Sequence, residues 1–179
     1  MATYTENLSL HPNHAVSAVL VDNASNIAEL KSLIMNQTID ACLIRPPMIA
    51  DRFQLMVAAN RALHLHLQNK RITKTLHSEV LFSLSISKNI TDCFKKFGAS
   101  DDDKSLIILE IHERGQSRLD DLVLPKVKGE LIPFDDLPKY SNHDLIKKVY
   151  KIKEDSEKKS SSLLDSVVCR ISSQDFVST

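Results

Sequence analysis

A chain of 179 residues with 42% hydrophobic and 26% charged side chains can bury one sizeable core, so a single domain over 1–179 is expected. Its 23 basic and 23 acidic residues cancel, which excludes a strong overall field toward nucleic acid or anionic membrane and leaves any basic surface local. Only Gly98, Gly115 and Gly129 are glycines, and they are not clustered, which excludes the phosphate-cradling loops of Rossmann, P-loop and kinase sites.

The opening stretch MATYTENLSLHPNH is polar and the first Lys or Arg is Lys31, so neither a secretory signal nor a basic transit peptide is expected. No apolar run reaches the ~18–20 residues of a membrane span, and no membrane association is expected. ENLSL (6–10) is placed to pair across the HPNH turn with SAVLVD (17–22), which reads as a buried strand. NASNIAELKSLIMNQ (23–37) has Ile27, Leu30 and Ile34 at helical spacing, with Asn23 or Ser25 as cap. Arg45-Pro46-Pro47 ends the segment that follows.

The stretch 51–70 is ambiguous, because ALHLHL alternates as a half-buried strand does. The run from Met48 to Phe97 has no proline or glycine, however, Asp51 is a good N-cap and AANRAL is rich in helix formers. One helix over 51–70 is therefore expected. Phe53, Met56, Val57, Leu63 and Leu67 would line one side, and Leu55, Ala58, Ala62 and Leu65 the opposite one. A helix apolar nearly all round belongs at the centre of a fold. His64 and His66 then lie 200° apart at 100° per residue, whereas a helical metal pair needs i, i+3 or i, i+4. His77 has no Cys or carboxylate at ligand spacing, so no metal site and no cofactor is expected.

Helices follow at 76–84, with Ser78 near its start, and at 89–98, where Ile90, Phe94 and Phe97 form the apolar side and Gly98 the stop. Asp101–Asp103 reads as a solvated acidic turn. SLIILEIH (105–112) is the strongest strand, 113–121 a polar connection, KVKGELIPF (126–134) a strand broken at Pro133, and NHDLIKKVY (142–150) a short helix. KEDSEKKSSS (153–162) reads as a mobile linker before a last helix over 162–172, capped by Ser162 with Asp165. This order predicts an α+β fold, with several helices packed on a small, mostly antiparallel sheet.

Cys42, Cys93 and Cys169 form no CxxC and read as reduced thiols of an intracellular protein. The sequons at Asn7, Asn23, Asn36 and Asn89 read as chance or as helix-cap chemistry. No nucleophile elbow, HExxH, kinase signature or carboxylate pair in an apolar setting occurs, so no enzyme is expected. Glu79, within an apolar helix, is either a functional carboxylate or a cap or ion-pair partner.

Charge is uneven. Residues 51–98 hold eight Lys or Arg against three acids, an excess of 5 centred on NKRITK (69–74). This is either a solvated helix end or a phosphate-contacting patch. In the last helix, Leu163, Val167 and Ile171 form one apolar row and Leu164 and Val168 the next. The stripe either docks on the protein's own core or meets a partner.

Four segments, TIDACLIRP (38–46), DRFQLMVAANRALHL (51–65), LHSEVLFSLSISKNITDCFKKFG (76–98) and LLDSVVCRIS (163–172), together resemble the CGI family. The resemblance runs over roughly residues 4–177. That family supplies a small non-catalytic subunit of the KEOPS (EKC) complex. The resemblance implies a mixed α/β fold, binding to the N-terminal lobe of the atypical kinase PRPK, and through it a link to the catalytic subunit that makes threonylcarbamoyladenosine in tRNA. It further implies a hand in holding tRNA, its 3′ CCA end included, and a place in cytoplasm and nucleus. Arg61, Lys70, Arg71 and Lys74 fall where the family is basic, and Lys88 in Ile86-Ser87-Lys88-Asn89 matches a basic position, so these five are the tRNA candidates. An arginine expected beside Lys88 is absent. Leu163, Leu164, Val167, Val168 and Ile171 are the kinase-interface candidates. The rival readings are a stability partner of the kinase without RNA contact, or a small-molecule enzyme with an unrecognised site.

Overall fold

Strand β2 (His14–Asp22) is buried on both faces because its residues alternate between two apolar environments. Val16, Ala18 and Leu20 face one core, and Val19 and Val21 face another. A computed structural model describes residues 3–152 and 162–174, and shows β2 in a five-stranded antiparallel sheet. β1 (Tyr4–Asn7) and β5 (Glu130–Ile132) share one edge of β2, and β4 (Leu106–Glu113) pairs along the other. β3 (Cys42–Ile44) closes the far side of β4. The β1–β2 hairpin lies where ENLSL was expected to pair, but its strand is 4–7 and residues 8–13 make the turn.

Five helices cover one face: α2 (Arg52–Leu67), α3 (Leu76–Leu84), α4 (Ile90–Phe97), α5 (His143–Val149) and α6 (Leu163–Ser172). The opposite face is covered by α1 (Ile27–Met35) and the helical turns at 119–126, through Leu119 and Val123. The α+β architecture is the one expected. The polar connection expected over 113–121 is present at 114–118, and helical turns begin at Leu119, where Leu119 and Val123 bury their side chains.

α2 is the central helix, with Leu55, Met56, Ala58, Ala59, Ala62 and Leu63 buried. Asp51 caps it by accepting the Phe53 N–H at 2.8 Å. The expected all-round burial stops at its ends, where Phe53 and Leu67 are 51% and 53% exposed. Buried Gln54 donates to Tyr150 Oη at 3.0 Å, and Tyr150 donates to the Leu84 carbonyl, joining α2, α3 and the end of α5.

Three local expectations are corrected. α1 begins at Ile27, because the side chain of Asn26 is occupied with the backbone of Lys126 and Lys128 (2.8 and 3.0 Å) and Asn23 sits in a left-handed turn. That same side chain intercepts backbone groups that a longer β5 would use, so the strand expected over 126–134 shrinks to three residues. Gly98 ends α4 in an extended conformation, not a left-handed one. Its need for glycine is spatial, since a Cβ there would lie 2.6 Å from the Phe94 carbonyl oxygen. Asn89 caps α4 through its side chain, so for this sequon the helix-cap alternative holds. The 153–161 part of the expected linker lies outside the described residues; Ser162 caps α6 in a reciprocal box with Asp165.

Candidate functional site

The basic segment begins where α2 stops. Asn69 takes a left-handed conformation, its N–H bonds to His66 O at 3.0 Å, and Lys70 N–H reaches Leu65 O at 2.8 Å. This is a Schellman termination, and it throws Lys70 and Arg71 off the helix end into solvent. The chain then re-enters at buried Thr73, leaves Lys74 exposed, and starts α3 at a Thr75–Ser78 capping box. Ser78 is thus the third residue of the box and Thr75 the cap itself.

Glu79 holds this loop from inside. Its side chain is fully buried, and Oε2 accepts from Ile72 N–H (3.0 Å), Thr73 N–H (2.8 Å) and the Thr73 hydroxyl (2.6 Å). Three donors converging on this one oxygen offset part of the cost of burying a carboxylate in an apolar helix. The side chain singled out in the sequence is therefore neither a pair for a neighbouring Lys nor open to a ligand. It sets the path of residues 70–75.

His77, two residues earlier on α3, does a related job on the sheet. β3 pairs with β4 only as far as Cys42 opposite Leu109, so the next N–H on that edge, Ile111, lacks a strand partner. The Nε2 of His77 accepts it at 2.9 Å, and Nδ1 lies 2.6 Å from Asp40 Oδ1. Nε2 accepts only in the Nδ1–H tautomer, so Nδ1 donates to Asp40 and both ring nitrogens are occupied. The hydrogen bond to His77 holds the Asp40 carboxyl below its usual range.

At the end of α2, His64 hydrogen-bonds Gln68 at 2.9 Å and lies 5.9 Å from the ring of His11 in the β1–β2 turn. His66 points elsewhere, and Arg71 Nη1 donates to its Nδ1 at 2.6 Å. Burial lowers the pKa of both His11 and His66; for His66 the Arg71 charge adds to it.

The five basic candidates do not form one patch. Lys70, Arg71 and Lys74 share the loop, and neither Lys70 nor Lys74 is ion-paired among the described residues. Arg61 lies about 9 Å of helix rise before the end of α2. It is half-buried and donates to buried Ser83 at 3.0 Å, which ties α2 to α3. Lys88 is exposed, but beyond the opposite end of α3, about 13 Å of helix away.

On α6, Val167 and Ile171 are wholly buried in the core beside α2, with Leu163 packed at its margin. Leu164 and Val168 are half-buried on the outer side. The first row thus supports the helix and the second is the one that faces outward. Of the cysteines, Cys42 and Cys93 are buried with their thiol pKa raised by burial, and Cys169 is exposed. Among the described residues no group of three or more His, Cys, Asp or Glu is placed to hold a metal, and no helix is long and apolar enough to cross a membrane.

The model of the family described as "Kinase binding protein CGI-121" matches residues 21–175, from the end of β2 through α6. This chain belongs to the CGI-121 family. The CGI-121 match spans the basic loop, the Glu79 clamp and α6 together. Among curated relatives, the "EKC/KEOPS complex subunit TPRKB" of Danio rerio is 37% identical over 171 residues, 96% of this chain and 97% of its own. The "EKC/KEOPS complex subunit cgi121" of Schizosaccharomyces pombe is 30% identical over 173 residues, 91% and 97% of the two chains. The "EKC/KEOPS complex subunit CGI121" of Candida glabrata is 35% identical over 103 residues, 58% of each.

Proposed function

We propose that this protein is a small, non-catalytic subunit of an EKC/KEOPS-type complex in cytoplasm and nucleus. In this reading it binds the PRPK-type atypical kinase of that complex. Through the kinase it assists the catalytic subunit that installs threonylcarbamoyladenosine in tRNA, and it helps to hold the tRNA. The shared name of the relatives supports the complex, and the family description supports the kinase.

One observation carries the tRNA part. Lys70, Arg71 and Lys74 stand exposed on a loop whose backbone is fixed from within by Glu79. Cations on a preformed loop bind a phosphate backbone without first ordering the chain, and each phosphate neutralised releases a counterion. On α6, Leu164 and Val168 offer apolar contact to the kinase while Val167 and Ile171 anchor the helix beneath them.

The test replaces Lys70, Arg71 and Lys74 together with glutamate in the assembled complex. All three are exposed, so folding and kinase binding are expected to persist while tRNA binding and modification fall. Normal modification at physiological salt would leave the protein a stability partner of the kinase without RNA contact.

A further inference from the structure

Arg71 is not simply an exposed cation. Its Nη1 donates to Nδ1 of His66 at 2.6 Å. A guanidinium has only donors, so the imidazole nitrogen facing it must carry a lone pair and His66 must be neutral in this arrangement. A proton on Nδ1 would turn acceptor into donor, break the contact, and set two cations side by side.

We propose that His66 is a proton-operated latch on Arg71: the neutral ring holds the guanidinium against the end of α2, and protonation releases it as the second of two adjacent cations for one phosphate. The inference rests on the reading that this loop meets tRNA, and it makes that contact tighter as pH falls.

The surroundings of His66 fit such a latch. The ring is only partly buried, so the proton reaches it from solvent, and its pKa is lowered by that burial and then by Arg71. His77 on α3 and His14 on β2 also disfavour its charge, while Asp40, just before β3, favours it. Asp40 in turn is held by His77 and faces Arg118. A phosphate arriving between His66 and Arg71 would supply the counter-charge that the fold withholds. Binding must then take up a proton, and by linkage acid must strengthen binding.

The experiment measures binding of whole tRNA to the full-length protein at pH 7.5 and pH 5.8, at fixed salt, for the wild type and for His66→Gln. Glutamine can still accept from Arg71 but cannot be protonated. The wild type is expected to gain about fivefold at pH 5.8, the order of one added phosphate contact, with a steeper salt dependence. His66→Gln is expected to lose most of that gain. An NMR titration of the His66 ring in the wild type should show its pKa rising when tRNA is added. An equal pH response in both proteins, or a His66 pKa indifferent to tRNA, would overturn the latch alone. No tRNA binding at either pH, even at low salt, would overturn the underlying reading and the latch with it.

Discussion

Glu79 Oε2 accepts the backbone N–H of Thr73 at 2.8 Å, so the interior of α3 dictates the shape of the basic loop outside it. Thr73 is the buried residue of the loop, flanked by exposed Ile72 and Lys74, and its hydroxyl also meets Ser78 Oγ at 3.0 Å.

Glu79→Ala should therefore destabilise the protein by about 2–3 kcal/mol, because it strands the N–H and hydroxyl of buried Thr73 and frees the half-buried Ile72 N–H. Glu79→Gln, which keeps one oxygen acceptor, should cost less. Urea unfolding measures both. An alanine variant within about 0.5 kcal/mol of wild type would mean that the clamp contributes nothing.

His77→Ala removes the acceptor for the Ile111 N–H and leaves a cavity between α3 and the sheet edge. A loss of roughly 2–4 kcal/mol is expected from the orphaned donor and the void together. Amide hydrogen exchange gives the sharper readout. Ile111 should lose protection while Ile107 and Leu109, bonded within the sheet, keep theirs.

The two rows of α6 should separate in experiment. Val167→Asp places a carboxylate in a wholly buried site, and the isolated protein should lose several kcal/mol or fail to fold. Val168→Asp lies on the half-buried outer side, and the isolated variant should still melt cooperatively while binding the kinase less tightly. Unchanged kinase affinity of Val168→Asp, measured by calorimetry, would remove this helix from the proposed interface.

Stability should also fall on mild acidification. His11 and His66 both have folded-state pKa values below the ordinary 6.5, chiefly from burial. Each ring therefore binds fewer protons in the folded chain than in the unfolded one. Their contribution is full above pH 6.5 and is lost as pH drops through the lower folded values. Asp40 does not act in this window, since its carboxyl lies below 3.8 and its contribution is lost only at more acid pH. Tm should fall between pH 7 and pH 5.5 in the wild type, and the double variant His11→Gln/His66→Gln should flatten that slope.

The secondary structure was largely legible because it depends on short-range chemistry. Asp51, Thr75–Ser78, Asn89, Asn142 and Ser162 sit at helix starts whose caps are local bonds. The apolar runs at 17–22 and 105–112 announced strands, the first of them buried. Where expectation and structure part, a distant residue intervened. Asn26 bonds to Lys126 and Lys128, a hundred positions away, and this moved the start of α1 and shortened β5.

The sequence by itself determined the fold class, the central helix, the absence of clustered glycines and the local excess of charge on 51–98. Spacing and composition carry those features. Only the tertiary structure decided that Glu79 points inward at the loop, that His77 completes the edge of β4, that Arg61 and Lys88 stand apart from Lys70–Lys74, and that Arg71 rests on His66. Each of those depends on which groups are brought within hydrogen-bond reach when α2, α3 and the sheet pack together. A sequence lists donors and acceptors along the chain, but only packing removes water from around them and thereby fixes which pairs must form.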